Sequence, residues 1–522
     1  MSARRRRAPG GVAAALAVLA ACQPARYRPA PIDLDYRPPV GVEQVDPAQR
    51  APGDPAPPAD APTAEPPGDV GPGRADPIQA SPFPLDTVLR SVTGRYPPLL
   101  AALLERDLAS GRLQQAMGGF DTNLSAKVGG TLQGFYESTV AQGLIEQPLA
   151  TGDTVYGGYR ITDGFLPDYY DSRTQDDGEV LFGGRFPLLR NRAIDGRRAG
   201  VRQAEIDVEL AEPTIAGARI AFVRAATDAY YGWRAAGSKL EVARELLRLA
   251  TDRQDGLRRA VERQFLAEID LTDNERLIAQ RQVFVVRAER AFQAAALALS
   301  LYLRDGDDRP VVAGERRLPP SEDPVGDVAE TLDGDLGIAL RQRPELARIR
   351  LLVDRIATER DLADNQLLPD LDLIVEAESS LSGGPYTDRE DFELFVGGEL
   401  KLPLQRRDAR GRFEQATARL SRLRLEQRFA RDRIVNEVVD ARSAVRAAHE
   451  QLQTTRRNVE LARELVAAEQ RAFDLGRSDL LRIQLREVQL ADAQVLEVDA
   501  LLGYRLARAA YRAALGDAAA PR

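Results

Sequence analysis

The chain is nearly devoid of the residues that form disulfides and transition-metal sites. Its 522 residues include one cysteine, Cys22, and one histidine, His449. A single cysteine excludes an internal disulfide, and without a Cys/His cluster the usual metal-site patterns are excluded as well. The net charge of −8 gives no reason to expect a nucleic-acid partner. The sequence therefore predicts neither an enzyme nor a bound metal or other cofactor.

Long apolar runs are also missing beyond the N-terminus, so we expect no membrane-spanning helix. The first residues have the pattern of a targeting segment. Four arginines at 4–7 precede an apolar stretch at 12–19, which is followed by Ala20-Ala21-Cys22. This pattern predicts a signal peptide over 1–21. The motif resembles a bacterial lipoprotein processing site, in which Cys22 is lipidated and becomes the first residue.

The next segment is rich in proline. Residues 23–80 contain 15 of the 33 prolines of the chain. Such a segment cannot bury enough apolar surface to fold, so residues 22–80 are predicted to form an extended tether.

The remainder of the chain contains the same pattern twice. Phe186-Pro187-Leu188 introduces a long helical segment, and Leu402-Pro403-Leu404 introduces a second one. Glu275 matches Glu487 at an offset of 212 residues. Long internal repeats indicate a duplicated structural unit. We predict repeat 1 over 81–310, a belt over 311–331 and repeat 2 over 332–517.

Apolar and polar residues alternate in four segments. They are predicted to be strands at about 120–137, 179–189, 370–380 and 391–404. Alternation over about ten residues is typical of membrane β-barrel strands, although a half-buried soluble sheet has the same pattern. The long segment 138–178 between the first two strands is predicted to be an extracellular loop.

Two helices are predicted to be very long, at 197–263 and 409–474. Apolar residues recur at intervals of seven in the second, which indicates left-handed coiled-coil packing. Pro213 is expected to bend or locally break the first. Shorter helices are predicted at about 85–117, 268–304, 332–366 and 479–515. Each repeat's two shorter helices together equal one long helix in length, so we expect them to stack end to end.

Four short motifs, in this order, carry a family resemblance: Arg343-Pro344-Glu345-Leu346, Leu368-Pro369-Asp370-Leu371, Leu402-Pro403-Leu404 and Leu475-Gly476-Arg477-Ser478. With them the chain resembles the outer-membrane efflux proteins of the TolC-like family, in its lipoprotein branch. The resemblance implies an α+β membrane protein that forms a homotrimer. Four strands per chain would then close a twelve-stranded barrel above a long periplasmic coiled-coil α-barrel. Independently, four strands cannot close a barrel alone, so the strand count requires an oligomer.

The resemblance also implies a function. The chain would be the outer-membrane channel of a tripartite efflux system in a Gram-negative bacterium, held by its lipid. It would passively export substrates received from an inner-membrane transporter through a periplasmic membrane-fusion adaptor protein. Two alternatives stay open: an exit duct of a type I protein or polysaccharide secretion system, and a lipid-anchored periplasmic coiled-coil scaffold without a pore.

Candidate site residues lie at the far ends of the long helices. By resemblance, the adaptor docks at the two helix tips, which are formed by Gln264, Phe265, Leu266, Leu475, Gly476, Arg477 and Ser478. Gln264 stands where the second repeat has glycine, so the first tip departs from the pattern. In a threefold assembly nearby charges become rings, and a candidate entrance ring consists of Glu268, Asp270, Asp273 and Arg482. A plain interhelical turn and a solvated helix face are the alternatives for the two sites.

Overall fold

A computed structural model of the chain describes residues 82–164, 166, 173–264, 267–320, 331–383, 386 and 390–517. The predicted signal peptide, Cys22 and the proline-rich tether lie outside the described residues. So do Phe265 and Leu266 of the first tip and residues 321–330 of the predicted belt.

The described residues follow one order twice: shorter helices, then strands, then a long helix and a further shorter helix. The α-helices are α1 Leu85–Arg95, α2 Pro97–Leu103, α3 Glu105–Met117, α4 Gly196–Glu262, α5 Glu268–Ser300, α6 Leu332–Gln342, α7 Pro344–Asn365, α8 Arg407–Asp474 and α9 Leu480–Leu515. The strands are β1 Asn123–Thr131, β2 Ser138–Pro148, β3 Thr154–Gly164, β4 Glu179–Pro187, β5 Asp370–Ser380 and β6 Phe392–Lys401. Among the helices so described, none is long and apolar enough to cross a membrane.

The two long helices dominate the molecule. Helix α4 has 67 residues and α8 has 68, so each is roughly 100 Å long. Asp195 caps α4 by accepting hydrogen bonds from the backbone N–H groups of Arg197 and Arg198. Pro213 does not break α4, which is continuous from Gly196 to Glu262.

The seven-residue ladder of α8 faces the inside of the helix bundle. Val438, Val445, Leu452 and Val459 are all buried, as expected for a coiled-coil seam. Helix α9 packs along α8, and α5 packs along α4. The ladder therefore joins α8 to α9, where Val445 and Leu452 share one buried cluster with Ala500 and Tyr504.

Prolines divide two of the predicted shorter helices. Pro97 starts α2 after α1 ends, and Pro344 starts α7 after α6 ends. Proline is favoured in the first turn of a helix but cannot continue one from the preceding residue, which explains both divisions. Helices α1, α2, α3 and α5 pack on α4, and α6, α7 and α9 pack on α8; α7 and α9 also contact α4, so the two repeats share one bundle.

The short sequence motifs lie at junctions between elements. Arg343 donates hydrogen bonds to Glu437 of α8 at 2.7 Å and to Glu345 at 2.9 Å, and so holds the α6–α7 junction against the long helix. Arg406 donates to the carbonyl of Leu367 at 3.1 Å, beside the start of β5. Arg343 of the first motif and Arg406, two residues after the third, therefore each fasten a junction to a neighbouring element.

The sheet differs from the prediction in its number of strands. Six strands, not four, form one antiparallel sheet in the order β1-β2-β3-β4-β5-β6. The two additional strands, β2 and β3, lie within 138–178, so the prediction of a loop for this whole segment was wrong. Gly143, Gly157 and Gly158 interrupt the alternation of apolar and polar residues in β2 and β3. The sequence of these two strands therefore lacks the period-two pattern that indicates a strand.

Candidate functional site

The register of the sheet assigns every strand residue to one of two faces, because opposite partners share a face and neighbours along a strand alternate. One face is largely apolar. Its members include Leu124, Val128, Ala141, Ile145, Val155, Ile161, Phe182, Phe186, Leu373, Val375, Leu394, Val396 and Leu400. The opposite face carries most of the charged side chains of the sheet.

The apolar face lies open. Leu124 and Val128 on β1 are each more than 70% exposed, and Leu394 and Leu400 on β6 are exposed as well. A contiguous apolar face that no described part of the chain covers is typical of a surface in contact with lipid or another protein. With nine to eleven residues per strand, each strand also has the length that crosses a bilayer.

Ion pairs on the polar face reach across neighbouring strands. Arg160 on β3 pairs with Glu179 on β4 and, at 2.8 Å, with Glu378 on β5. Nearer the helices, Arg185 on β4 pairs with Asp372 at 3.2 Å and with Glu399 on β6 at 3.0 Å. The four strands β3 to β6 are therefore joined by a network on one face only.

Tyr156 extends this network, and Gly183 leaves the space that its ring occupies. The hydroxyl of Tyr156 donates a hydrogen bond to Glu376, two strands away. Its ring lies across Gly183, where an added Cβ would come within 2.5 Å of the ring. Any larger residue at 183 would displace Tyr156, so Gly183 is what lets the tyrosine lie flat on the polar face.

The polar face is acidic overall. Its basic side chains are Lys127, Arg160, Arg185 and Lys401. Its carboxylates are Glu146, Glu179, Asp370, Asp372, Glu376, Glu378, Glu393 and Glu399, twice as many as the basic groups. A water-filled passage lined by this face would favour cations over anions.

The second helix tip is a regular helix C-terminus. The N–H of Gly476, at φ 70°, donates to the carbonyl of Phe473, and the N–H of Arg477 donates to that of Ala472. These are the two bonds of a Schellman motif. Leu475 is 69% exposed at the apex, and the hydroxyl of Ser478 bonds to Glu469.

Gln264 of the first tip has the same backbone conformation as Gly476 of the second, although the residue type differs. Gln264 adopts a left-handed φ of 63°, and its N–H donates to the carbonyl of Val261, as Gly476 does to Phe473. A non-glycine residue in this region costs about 1–2 kcal/mol. The predicted departure of this tip from the pattern is therefore one of residue type, not of the local fold at Gln264.

The candidate ring residues lie in the first two turns of α5 and the first turn of α9, close to the tips. Asp270 accepts a hydrogen bond from the N–H of Ala267 at 3.1 Å and so caps α5. Asp273 lies 3.8 Å from Arg276, and Arg482 lies 3.5 Å from Asp479. Glu268 is exposed. Asp270 and Arg482 are thus each engaged within their own turn.

Sequence reasoning missed a buried charge cluster near the tips. Glu487 of α9 is 5% exposed and pairs with Arg253 of α4 and with Arg281 of α5, the latter at 3.1 Å. Burial lowers the pKa of the Arg281 guanidinium, and the hydrogen bond that Arg281 donates to the Glu487 carboxylate opposes that shift. The repeated glutamates at 275 and 487 were the available signal. Their arginine partners, more than 200 residues away from Glu487, were not visible in the sequence.

No metal site accompanies these groups: within the described ranges, no three histidine, cysteine or acidic side chains are placed to hold a metal ion. His449 instead packs its ring against Tyr504, with centroids 5.6 Å apart.

The second repeat matches a known family. Residues 336–517 match the model of the outer membrane efflux protein family. No curated protein sequence matches the chain significantly.

Solved structures share the fold over most of the chain. A membrane protein from Pseudomonas aeruginosa is 17% identical, covering 88% of this chain and 97% of that one, with a TM-score of 0.62. The CmeC outer membrane channel of Campylobacter jejuni is 13% identical, covering 83% and 85%, with a TM-score of 0.61. The outer membrane protein VceC of Vibrio cholerae is 17% identical, covering 83% and 96%, with a TM-score of 0.58. These comparisons confirm the resemblance to outer membrane efflux proteins and the α+β channel fold, whereas the lipoprotein branch stays a prediction.

Proposed function

We propose that this chain belongs to the outer membrane efflux protein family and is the outer-membrane channel of a tripartite efflux system. The match over residues 336–517 supports the family, and the shared fold supports the architecture. Substrates would pass through the chain's assembly without chemical change, and the work of transport would be done by its partners. The lipid anchor at Cys22 remains part of this proposal.

One observation carries the proposal. The sheet has an open apolar face and a charged, ion-paired face, and it runs directly into helices of roughly 100 Å. Lipid on one side and water on the other explain the two faces together. A soluble scaffold would leave the apolar face uncovered, which argues against the pore-free alternative.

We infer that the channel is a homotrimer, as the family resemblance implies. The sheet has two open edges, β1 and β6, and unpaired backbone groups are not tolerated inside a bilayer. Further copies of the chain pair these edges. The long helices of the same copies then enclose the periplasmic passage.

The helix tips are the proposed docking surface for the periplasmic adaptor. Leu475 projects at the apex of the second tip, and Leu481 lies exposed in the next turn. Exposed leucines at the end of a water-surrounded helix pair are suited to a partner with an apolar surface. Gln264 stands at the equivalent position of the first tip and has the same left-handed backbone conformation as Gly476.

The proposed entrance ring makes a prediction about ion selectivity. Changing Asp270 and Asp273 to asparagine should lower the K⁺-over-Cl⁻ permeability ratio of the open channel severalfold, because three copies lose a ring of carboxylates. Asparagine is the sharper substitution at Asp270, since it can keep the cap on Ala267 that alanine would lose. The same change at Asp440, exposed in the middle of α8, serves as control and should leave the ratio unchanged. Equal effects at both places would contradict the ring.

An export assay in the natural host tests the function. Deleting the gene should raise the intracellular level of a fluorescent pump substrate, and restoring the wild-type gene should correct it. A chain with Leu475→Lys should reach the outer membrane but fail to restore export, because a charge replaces the exposed tip leucine. Unchanged dye accumulation together with loss of a secreted protein or polysaccharide would instead establish the secretion duct.

A further inference from the structure

We propose that the closed barrel of this channel has eighteen strands, six from each of three chains, instead of the twelve implied by the family resemblance. The inference rests on the trimeric channel proposed above. Its basis is the β2–β3 hairpin, residues 138–164, which inserts a pair of full-length strands between β1 and β4.

The hairpin extends over the whole height of the sheet. Both of its strands have eleven residues, enough to cross the bilayer. Its turn lies at the helical end: Asp153 pairs at 3.2 Å with Arg192, just before α4, and Gln147 donates to the carbonyl of Phe120, just before β1, at 2.8 Å. A hairpin that projected outward beyond the barrel would place its turn at the opposite end.

The hairpin also contributes to both faces of the wall. Ile145 on β2 and Val155 on β3 lie on the apolar face, in register with Leu124 and Gly184 on the flanking strands. On the polar face, Arg160 of β3 joins the carboxylates of β4 and β5. The hairpin is therefore built as part of the same two-faced wall as the other four strands.

The free edges of the sheet fit a second copy of this chain. All nine residues of β1 are exposed, and most of β6 is exposed too. Because six is even, β1 and β6 run in opposite directions, so β6 of one chain can pair antiparallel with β1 of the next. On the polar face, Lys127 of β1 would meet a strand that carries Glu393, Glu399 and Lys401 and is therefore acidic on balance. The edges thus match in length, direction and charge.

The strand number has a consequence for transport. Barrel diameter grows roughly linearly with strand number, so eighteen strands give an exit about one and a half times as wide as twelve. The tips, where the helices end, would then be the narrowest part of the passage. Selection among substrates would fall to the entrance, and the exit would admit bulky solutes.

Lipid quenching of a fluorescent label tests the inference. Single cysteines at Ile145 and Val155 of the hairpin, and at Val128 and Val396 of the edge strands, are labelled with bimane in the full chain. The trimers are then reconstituted in vesicles with and without brominated lipid. Gln142 lies on the same strand as Ile145, but its side chain belongs to the polar face, so it provides the matched control. Separately, the pair Val128→Cys and Val396→Cys, which lie near the middle of β1 and β6, is oxidised to look for covalent trimers.

Three results are distinguishable. Eighteen strands predict strong quenching at 145, 155, 128 and 396, weak quenching at 142, and disulfide-linked trimers. Quenching at 128 and 396 but not at 145 and 155 would overturn the eighteen-strand barrel and leave the channel itself standing. An absence of quenching at all four apolar positions would overturn both proposals, because no part of the sheet would then face lipid.

Discussion

Replacing Glu487 with alanine is expected to lower the free energy of local opening near the helix tips by about 3–5 kcal/mol. The reason is that Arg253 and Arg281 would remain buried without their common counter-charge. Arg281 also donates to the carbonyl of Leu246, so the cluster joins α4, α5 and α9 at one point. Hydrogen exchange of peptides that span residues 246–258 and 277–285 should speed up by about a hundredfold or more.

An exposed ion pair provides the control for this prediction. Glu460 of α8 pairs with Arg457 at 2.9 Å, but both side chains are exposed. Glu460→Ala should cost less than about 1 kcal/mol, because water screens the pair and replaces its contacts. Equal exchange rates in the Glu487 and Glu460 variants would show that the buried cluster does not hold the three helices together.

Replacing Trp233 with alanine should destabilise the middle of repeat 1 by about 3–5 kcal/mol. Trp233 is 0% exposed, packs against Phe292 and Tyr230, and donates from Nε1 to the carbonyl of Ala313 at 3.1 Å. The substitution removes the largest side chain of this core and leaves the Ala313 carbonyl without its donor. Exchange should accelerate in peptides covering 226–240 and 311–318.

Trp233→Phe separates the two contributions. Phenylalanine keeps most of the apolar contact but has no N–H, so its expected cost is about 1–3 kcal/mol, that of an unsatisfied buried carbonyl. Because Trp233 is the only tryptophan of the chain, wild-type fluorescence reports directly on this site and should show a buried indole. A phenylalanine variant that is as unstable as the alanine variant would mean that the hydrogen bond, not packing, dominates.

The long-period features of the fold were predictable from the sequence. Seven-residue spacing from Val438 to Val459 predicts a continuous coiled-coil helix, because tertiary packing selects such a pattern over many turns. The alternation in β5 and β6 is equally regular, with acidic residues on one face only. In these segments the local pattern and the burial coincide, so a single sequence is sufficient.

The β2–β3 hairpin was not predicted because its two faces are chemically mixed. Leu144 lies on the polar face and Gln147 on the apolar face, while Gly157 leaves a gap that the ring of Phe182 fills from the next strand. The surviving signal was the turn at Gly152-Asp153 between two segments of equal length. A strand search based on alternation alone does not register it.

The tip residues were predicted by motif, whereas their chemistry depends on distant partners. Gln264 adopts a left-handed conformation because of the way α4 ends. From residue type alone, this conformation would have been expected only at a glycine. Likewise, Gln254 of α4 is a polar residue that is nevertheless buried, and it is hydrogen-bonded to Asn274 and Glu275 of the neighbouring helix. Such pairings require the fold.

Single-channel recording in a planar bilayer decides whether this chain forms a pore. Trimers of the wild type and of the Glu487→Ala variant are purified from outer membranes and recorded. The variant is included because a tightly closed entrance would prevent conduction in the wild type, and its helix tips are expected to open more easily. A channel should give discrete, long-lived conductance steps with a preference for cations, and the steps should be larger or more frequent in the variant. Intact trimers that conduct in neither form would contradict the channel and favour a lipid-anchored scaffold.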